Sequence, residues 1–148
     1  RFLTAHLSLD GEPFTGPVPE LQALSRFLNS EPFLSFARAV TGDDAIRLTD
    51  AHASCYRAGD FLHRHHDHID DTRTHRVAAY VLNMTPVWQA EWGGLLAFLR
   101  PDGHVGEAFT PAWNAINFLK VPQGHFVSPV AGFVTAPRLA VTGWVRRR

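Results

Sequence analysis

From residue 46 onward the apolar residues recur in short runs of period two, separated by turn signals, and no helical pattern interrupts them. Runs at 46–57, 61–67, 76–84, 95–99, 115–120, around His125 and at 139–145 predict seven or eight short strands. Gly59-Asp60 and Pro101-Asp102-Gly103 read as turns, and 85–94 as a loop carrying Trp88 and Trp92. The run 76–84 is apolar on both faces, which predicts a central strand. Since strands do not alternate with helices, the expected architecture is mainly β, an antiparallel sandwich or barrel.

Two helices precede the strands. Residues 1–18, punctuated by Gly11, Pro13, Gly16 and Pro17, read as irregular or extended. Leu21, Leu24, Phe27 and Leu28 then recur at helical spacing from Pro19. A second helix has Pro32 in its first turn, Phe33, Phe36, Ala37 and Val40 on one face, and Gly42 as its stop. Both read as packing elements. No linker, repeat or low-complexity stretch divides the chain, so residues 1–148 are expected to form one domain. Its helical part would cover about 19–41 and its β core about 46–146.

Charge narrows the partners. Fourteen basic residues balance fourteen acidic ones, which argues against a nucleic-acid or membrane-surface protein. Arg146, Arg147 and Arg148 form a local basic run, expected to be a solvated tail. The lone cysteine, Cys55, allows no intrachain disulfide and fits a reducing, cytoplasmic setting. No signal peptide is visible, and no apolar run reaches the length of a membrane span.

Histidine is the anomaly. Of nine, five fall between His63 and His75. The segment offers His65-x-Asp67, His68-x-Asp70 and His66-x-His68, and spacing alone does not choose among them. On a strand, residues i and i+2 share a face. If the strand from Phe61 keeps its phase, Phe61, His63, His65 and Asp67 face one way, while Leu62, Arg64, His66 and His68 face the other. His65 and Asp67 could then reach one metal, with a third ligand from elsewhere, His125 being the best candidate. Two histidines and one carboxylate leave coordination positions open, the donor set of non-haem Fe(II) oxygenases. A histidine cluster holding zinc or nickel in a non-enzymatic module is the alternative. A hydrolytic zinc enzyme would need a general base, and none can be nominated. Further on, Arg138, Ala140, Thr142 and Trp144 share one strand face. A buried arginine there needs a partner, and its planar fork suits a carboxylate.

Taken in order, Tyr56, Gly59, His65-x-Asp67, Leu82-Asn83, Gly93-Gly94, His125, Arg138 and Gly143-Trp144 resemble the 2-oxoglutarate/Fe(II)-dependent oxygenases, in particular their prolyl 4-hydroxylase-like branch. The match covers about residues 50–146. It implies a double-stranded β-helix (jelly roll) with flanking N-terminal helices. It implies His65, Asp67 and His125 as catalytic iron ligands, and Arg138 as the anchor for the far carboxylate of 2-oxoglutarate. Thr142, on Arg138's face, and Tyr56 are further candidates for the co-substrate pocket. One departure is Val81, where many relatives carry a tyrosine; Tyr80 would face the other way. The loop at 85–94 looks most like bacterial members and the ribosomal prolyl-hydroxylase relatives. The implied reaction hydroxylates an unactivated C–H bond with O2 and releases succinate and CO2; ascorbate can be required to sustain it. A prolyl residue of a protein or peptide is the expected substrate, with small molecules as the other class. His63, His66, Trp88 and Trp92 could border the substrate opening, although surface histidines and core tryptophans are the plainer expectation.

Overall fold

The computed structural model describes residues 2–69 and 75–147. Its elements run β1 (Leu3–Leu9), β2 (Glu12–Pro13), α1 (Pro19–Leu28), α2 (Glu31–Thr41), β3 (Ile46–Tyr56), β4 (Leu62–His65), β5 (His75–Asn83), β6 (Leu96–Leu99), β7 (Val105–Phe109), β8 (Ile116–Lys120), β9 (His125–Val127) and β10 (Arg138–Arg147). Six strands pair in the order β2-β1-β3-β10-β5-β8, and four in the order β4-β9-β6-β7. Every pairing is antiparallel. The fold is a jelly roll flanked by two N-terminal helices.

Alternation along the central strands explains the layers. On β5, Ala78 and Tyr80 join Val141 and Val145 of β10 against Leu28, Phe33, Leu34 and Ala37 of the helices. Ala79 and Val81 of β5 and Ala140 of β10 face inward and meet Leu96 of the smaller sheet. The run 76–84 therefore needs apolar residues on both faces because one face meets helices and the other the second sheet. Tyr80 points to the helical side, and its hydroxyl donates to the Asp50 carbonyl at 2.9 Å. Gly143 makes room for this bond: a Cβ there would lie 1.8 Å from the Asp50 oxygen and 2.9 Å from the Tyr80 hydroxyl.

Several expectations change. Within 1–18, which read as irregular or extended, residues 3–9 are extended and pair along β3 as a strand. β7 was absent from the expected runs; all five of its residues are exposed, so no buried face imprints a period on them. The buried stripes of the helices include Leu28, Phe33 and Ala37 as expected, but are otherwise turned. Phe27, Phe36 and Val40 are exposed. Ser25 and Leu34 are buried instead, the Ser25 hydroxyl accepting the Phe14 N–H at 2.7 Å. Gly42 does end α2, with φ of 72°. The basic run at the C-terminus is no solvated tail as far as it is described. Arg146 is 5% exposed, with Nη1 2.5 Å from Asp50 Oδ2 and 3.0 Å from Asp10 Oδ1. It sits inside β10, where leaving the guanidinium unpaired would be costly. Arg148 lies outside the described residues. Among those described, no helix is long and apolar enough to cross a membrane.

Candidate metal centre

The centre is built on the smaller sheet. His65 of β4 pairs directly with His125 of β9, and Leu62 pairs with Val127. Three steps on β4 thus match two on β9, which is a β-bulge. The bulge corrects the expected phase. Leu62 and His65 both line the cavity between the sheets. Phe61 and His63 pack edge to face outside it, ring centroids 4.8 Å apart, and both are exposed. His65 therefore faces inward by virtue of an extra residue that simple alternation does not foresee.

Direct pairing brings the two imidazoles to 4.2 Å between ring centroids. Each is oriented the same way. His65 Nδ1–H donates to the His63 carbonyl at 2.8 Å, and His125 Nδ1–H donates to the Gln123 carbonyl at 2.7 Å. A proton on Nδ1 leaves the Nε2 lone pair of each ring as the donor. Asp67 closes the group, with Oδ1 3.7 Å from His65 Nε2 and Oδ2 3.5 Å from His125 Nε2. These separations exceed hydrogen-bond length and suit three ligands turned toward one cation. One donor atom from each residue lies within 4.8 Å of the others. Burial holds His125 below the ordinary imidazole pKa, which favours the neutral form that metals require. The donor set of two imidazole nitrogens and a carboxylate fits a first-row divalent ion such as Fe(II).

A cavity of about 300 Å³ runs from these donors between the sheets. Leu62, Val81, Leu96, Leu119 and Val127 contribute apolar walls, and Arg138 lines it too. Arg138 is 2% exposed. Among the described residues it makes no hydrogen bond or ion pair, and its Nε is buried without a partner. Its companion is the Tyr56 ring, 5.1 Å from the guanidinium carbon to the centroid. Burial lowers the Arg138 pKa, yet a guanidinium stays charged in a protein. The same burial pushes the Tyr56 phenol up to about 12. Gly93-Gly94 supports this end by close approach. A Cβ on Gly94 would lie 2.9 Å from Arg138 Cδ, and one on Gly93 only 2.0 Å from the Pro129 carbonyl oxygen.

Thr142 lines the same cavity, and its Oγ1 shares a 2.8 Å hydrogen bond with His52 Nε2. Sequence reasoning missed His52. Parity was the available signal, since His52, Ser54 and Tyr56 alternate onto one face of β3. It also missed Phe2, which stacks on Tyr56 at 4.2 Å, and Arg76, which reaches the Asp67 carbonyl. Other candidates stand apart. His66 and His68 are exposed, and Asp70 lies outside the described residues. Trp88 and Trp92 pack on each other and beside Tyr56 and Val130, as core tryptophans. Among the described residues, His65, Asp67 and His125 form the one cluster of three metal donors.

The family described as the 2OG-Fe(II) oxygenase superfamily matches residues 51–146. Prolyl 3-hydroxylase OGFOD1 of Mus musculus is 30% identical over 133 residues, 85% of this chain and 23% of that protein. The chain thus spans less than a quarter of that relative. A prolyl-4-hydroxylase from Pseudomonas putida superposes with a TM-score of 0.73 at 24% identity, covering 99% of this chain and 72% of the other. A prolyl hydroxylase from Trichoplax adhaerens, in complex with a hypoxia inducible factor peptide fragment, gives 0.70 at 21% identity, covering 97% and 62%. These two likenesses are of fold.

Proposed function

Because the chain belongs to the 2-oxoglutarate/Fe(II) oxygenase superfamily, we propose that residues 1–148 form one catalytic domain that hydroxylates a prolyl residue of a protein or peptide. Membership implies Fe(II), 2-oxoglutarate and O2. When bound, they supply the oxidation: 2-oxoglutarate leaves as succinate and CO2 while a substrate C–H bond becomes C–OH.

The observation that carries the reading is Arg138, a buried guanidinium without an anionic partner among the described residues, in the cavity that the three metal donors also line. A buried cation of this kind is costly unless a ligand pairs with it. The far carboxylate of 2-oxoglutarate would do so through two parallel hydrogen bonds. His65 Nε2, the Asp67 carboxylate and His125 Nε2 would hold the iron. Thr142 offers a hydroxyl to the co-substrate, and His52 restrains its rotation. Tyr56 flanks Arg138 and, being protonated at ordinary pH, adds no competing charge. The apolar walls keep water from the reacting centre and strengthen each of these contacts.

The prolyl substrate is supported by the relatives, one a prolyl 3-hydroxylase and one a prolyl hydroxylase bound to a peptide. Zero net charge suits a protein or small-molecule partner better than nucleic acid or a membrane surface. Free, half-buried Cys55 suits a reducing cytoplasm. Ascorbate would maintain iron in its ferrous form.

The test is succinate formation by anaerobically prepared protein given Fe(II), 2-oxoglutarate, ascorbate and O2, the parent being compared with Arg138→Ala. Turnover by the parent alone, followed by gain of one oxygen atom on a proline-containing peptide, supports the reading. Tight zinc binding with neither 2-oxoglutarate binding nor succinate would favour the metal-binding module instead.

A further inference from the structure

Asp67 lies beyond the last paired residue of its strand. β4 ends at His65, opposite His125, and residues 66–69 have no regular structure. A side chain proposed to hold a metal thus rests on backbone outside both sheets. Among the described residues, its main chain receives one hydrogen bond: Arg76 Nη1–H donates to the Asp67 carbonyl at 3.1 Å.

Arg76 is itself well anchored. It lies on β5, where its register partner is Arg146 of β10. Its guanidinium carbon sits 3.6 Å from the centroid of the Trp144 ring. This is a planar cation on a planar ring, attracted by the ring's electron density. Trp144 packs against the inter-sheet core and lies 5.6 Å, centroid to centroid, from His52. Among the described residues no carboxylate pairs with Arg76, and its Nε is buried without a partner. The stack and a single carbonyl hold this guanidinium directly, and the Asp67 and Asp50 carboxylates attract it from further off. Lysine could donate to the carbonyl but could not reproduce the stack, because an ammonium has no flat face.

We infer that Arg76 is a positioning residue: stacked on Trp144, it pins the Asp67 main chain so that the carboxylate meets His65 and His125. The inference rests on the metal-site reading above and adds a requirement to it. A ligand on irregular backbone samples many orientations, and each one away from the imidazoles lowers metal affinity. Outer-shell restraints of this kind typically change affinity by about ten- to a hundredfold.

Co(II) titration tests this, because its visible absorption reports coordination without any turnover. The parent should bind one Co(II), and Asp67→Ala should bind none. Arg76→Met, which removes the hydrogen bond and the cationic stack but keeps an apolar stem, should weaken binding by about ten- to a hundredfold and alter the visible band. Trp144→Leu, which leaves Arg76 unstacked, should move both readouts the same way. Arg76→Lys, which keeps a donor but loses the planar stack, should fall between the parent and Arg76→Met, and methylguanidinium should partly restore Co(II) binding to Arg76→Ala. If Arg76→Met does not fold, Arg76→Lys and Trp144→Leu carry the comparison. A parent that binds Co(II) through Asp67, beside Arg76 variants with the same affinity and spectrum, would overturn this inference alone. A parent that binds no Co(II) would overturn the metal site and this inference with it.

Discussion

His65 and His125 stand directly opposite each other on neighbouring strands, and each donates its Nδ1 proton to the main-chain carbonyl two residues before it. The same local bond on both strands turns both Nε2 atoms toward Asp67. Cross-strand pairing brings residues 60 positions apart into one donor group, and the backbone sets the tautomers.

Loss of one donor should therefore abolish function with little effect on the metal-free fold. Asp67→Ala is expected to reduce succinate formation to background. Without metal its stability should differ from the parent's by no more than about 1 kcal/mol, an ordinary value for one substitution. Excess Fe(II) or Co(II) should raise the unfolding temperature of the parent, by mass action, and leave that of Asp67→Ala unchanged. Thermal melts with and without metal, beside the succinate assay, check this. Metal-dependent stabilisation of the variant equal to the parent's would count against the three-donor site.

Arg138 should show opposite effects on function and stability. Its guanidinium is buried with no acid among the described residues. Replacing an unpaired buried charge by an apolar side chain removes a desolvation cost. Arg138→Met is expected to lose 2-oxoglutarate binding while unfolding at a urea concentration no lower than the parent's. Calorimetric titration with 2-oxoglutarate and urea denaturation measure the two effects. A variant that still binds 2-oxoglutarate, or that is much less stable, would show Arg138 to be a structural cation.

Much of this was legible because it depends on period and order. The run 76–84 announced its place between two packed layers, since only a doubly covered strand is apolar on both faces. Residues Arg138 and Thr142 shared a face by simple alternation. Other features were set by tertiary partners. The β4 bulge turns His65 inward, and a bulge is visible only once β9 supplies the register. Arg146 read as part of a tail because its partners, Asp50 and Asp10, lie 96 and 136 residues away in sequence. Strand β7 carried no signal because neither of its faces is buried. His52 was within reach of parity reasoning, but its bond to Thr142 required the β3–β10 register.

The two adjacent glycines should fail differently. Both have positive φ, 70° at Gly93 and 62° at Gly94. A Cβ on Gly93 would meet backbone, the Pro129 carbonyl at 2.0 Å, so Gly93→Ala must displace the chain. We expect a loss of at least about 2 kcal/mol in urea unfolding, combining strain with steric overlap. A Cβ on Gly94 would meet side chains rather than backbone, Arg138 at 2.9 Å and Trp88 and Val130 at 3.3 Å. Gly94→Ala should cost less stability, about 1 kcal/mol, but weaken 2-oxoglutarate binding by moving the guanidinium. Equal losses of stability in the two variants would contradict this assignment.

Alkali should reveal the environment of the two tyrosines, Tyr56 and Tyr80. Burial is the main cause of both shifts: Tyr56 rises to about 12, and Tyr80 is pushed higher still. A raised folded-state value means that folding disfavours the phenolate. The stability gained from keeping both phenols neutral is fully present below about pH 10, where the unfolded chain also holds its protons. It declines as pH rises from about 10 through the folded value of Tyr56 near 12. Ultraviolet phenolate absorbance should therefore stay flat through the range in which a free tyrosine titrates, then rise together with loss of the far-ultraviolet circular dichroism signal. Tyr56→Phe should halve the amplitude and delay alkaline unfolding. A phenolate signal at an ordinary tyrosine pKa in the folded protein would show that Tyr56 is open to water and unsuited to flank Arg138.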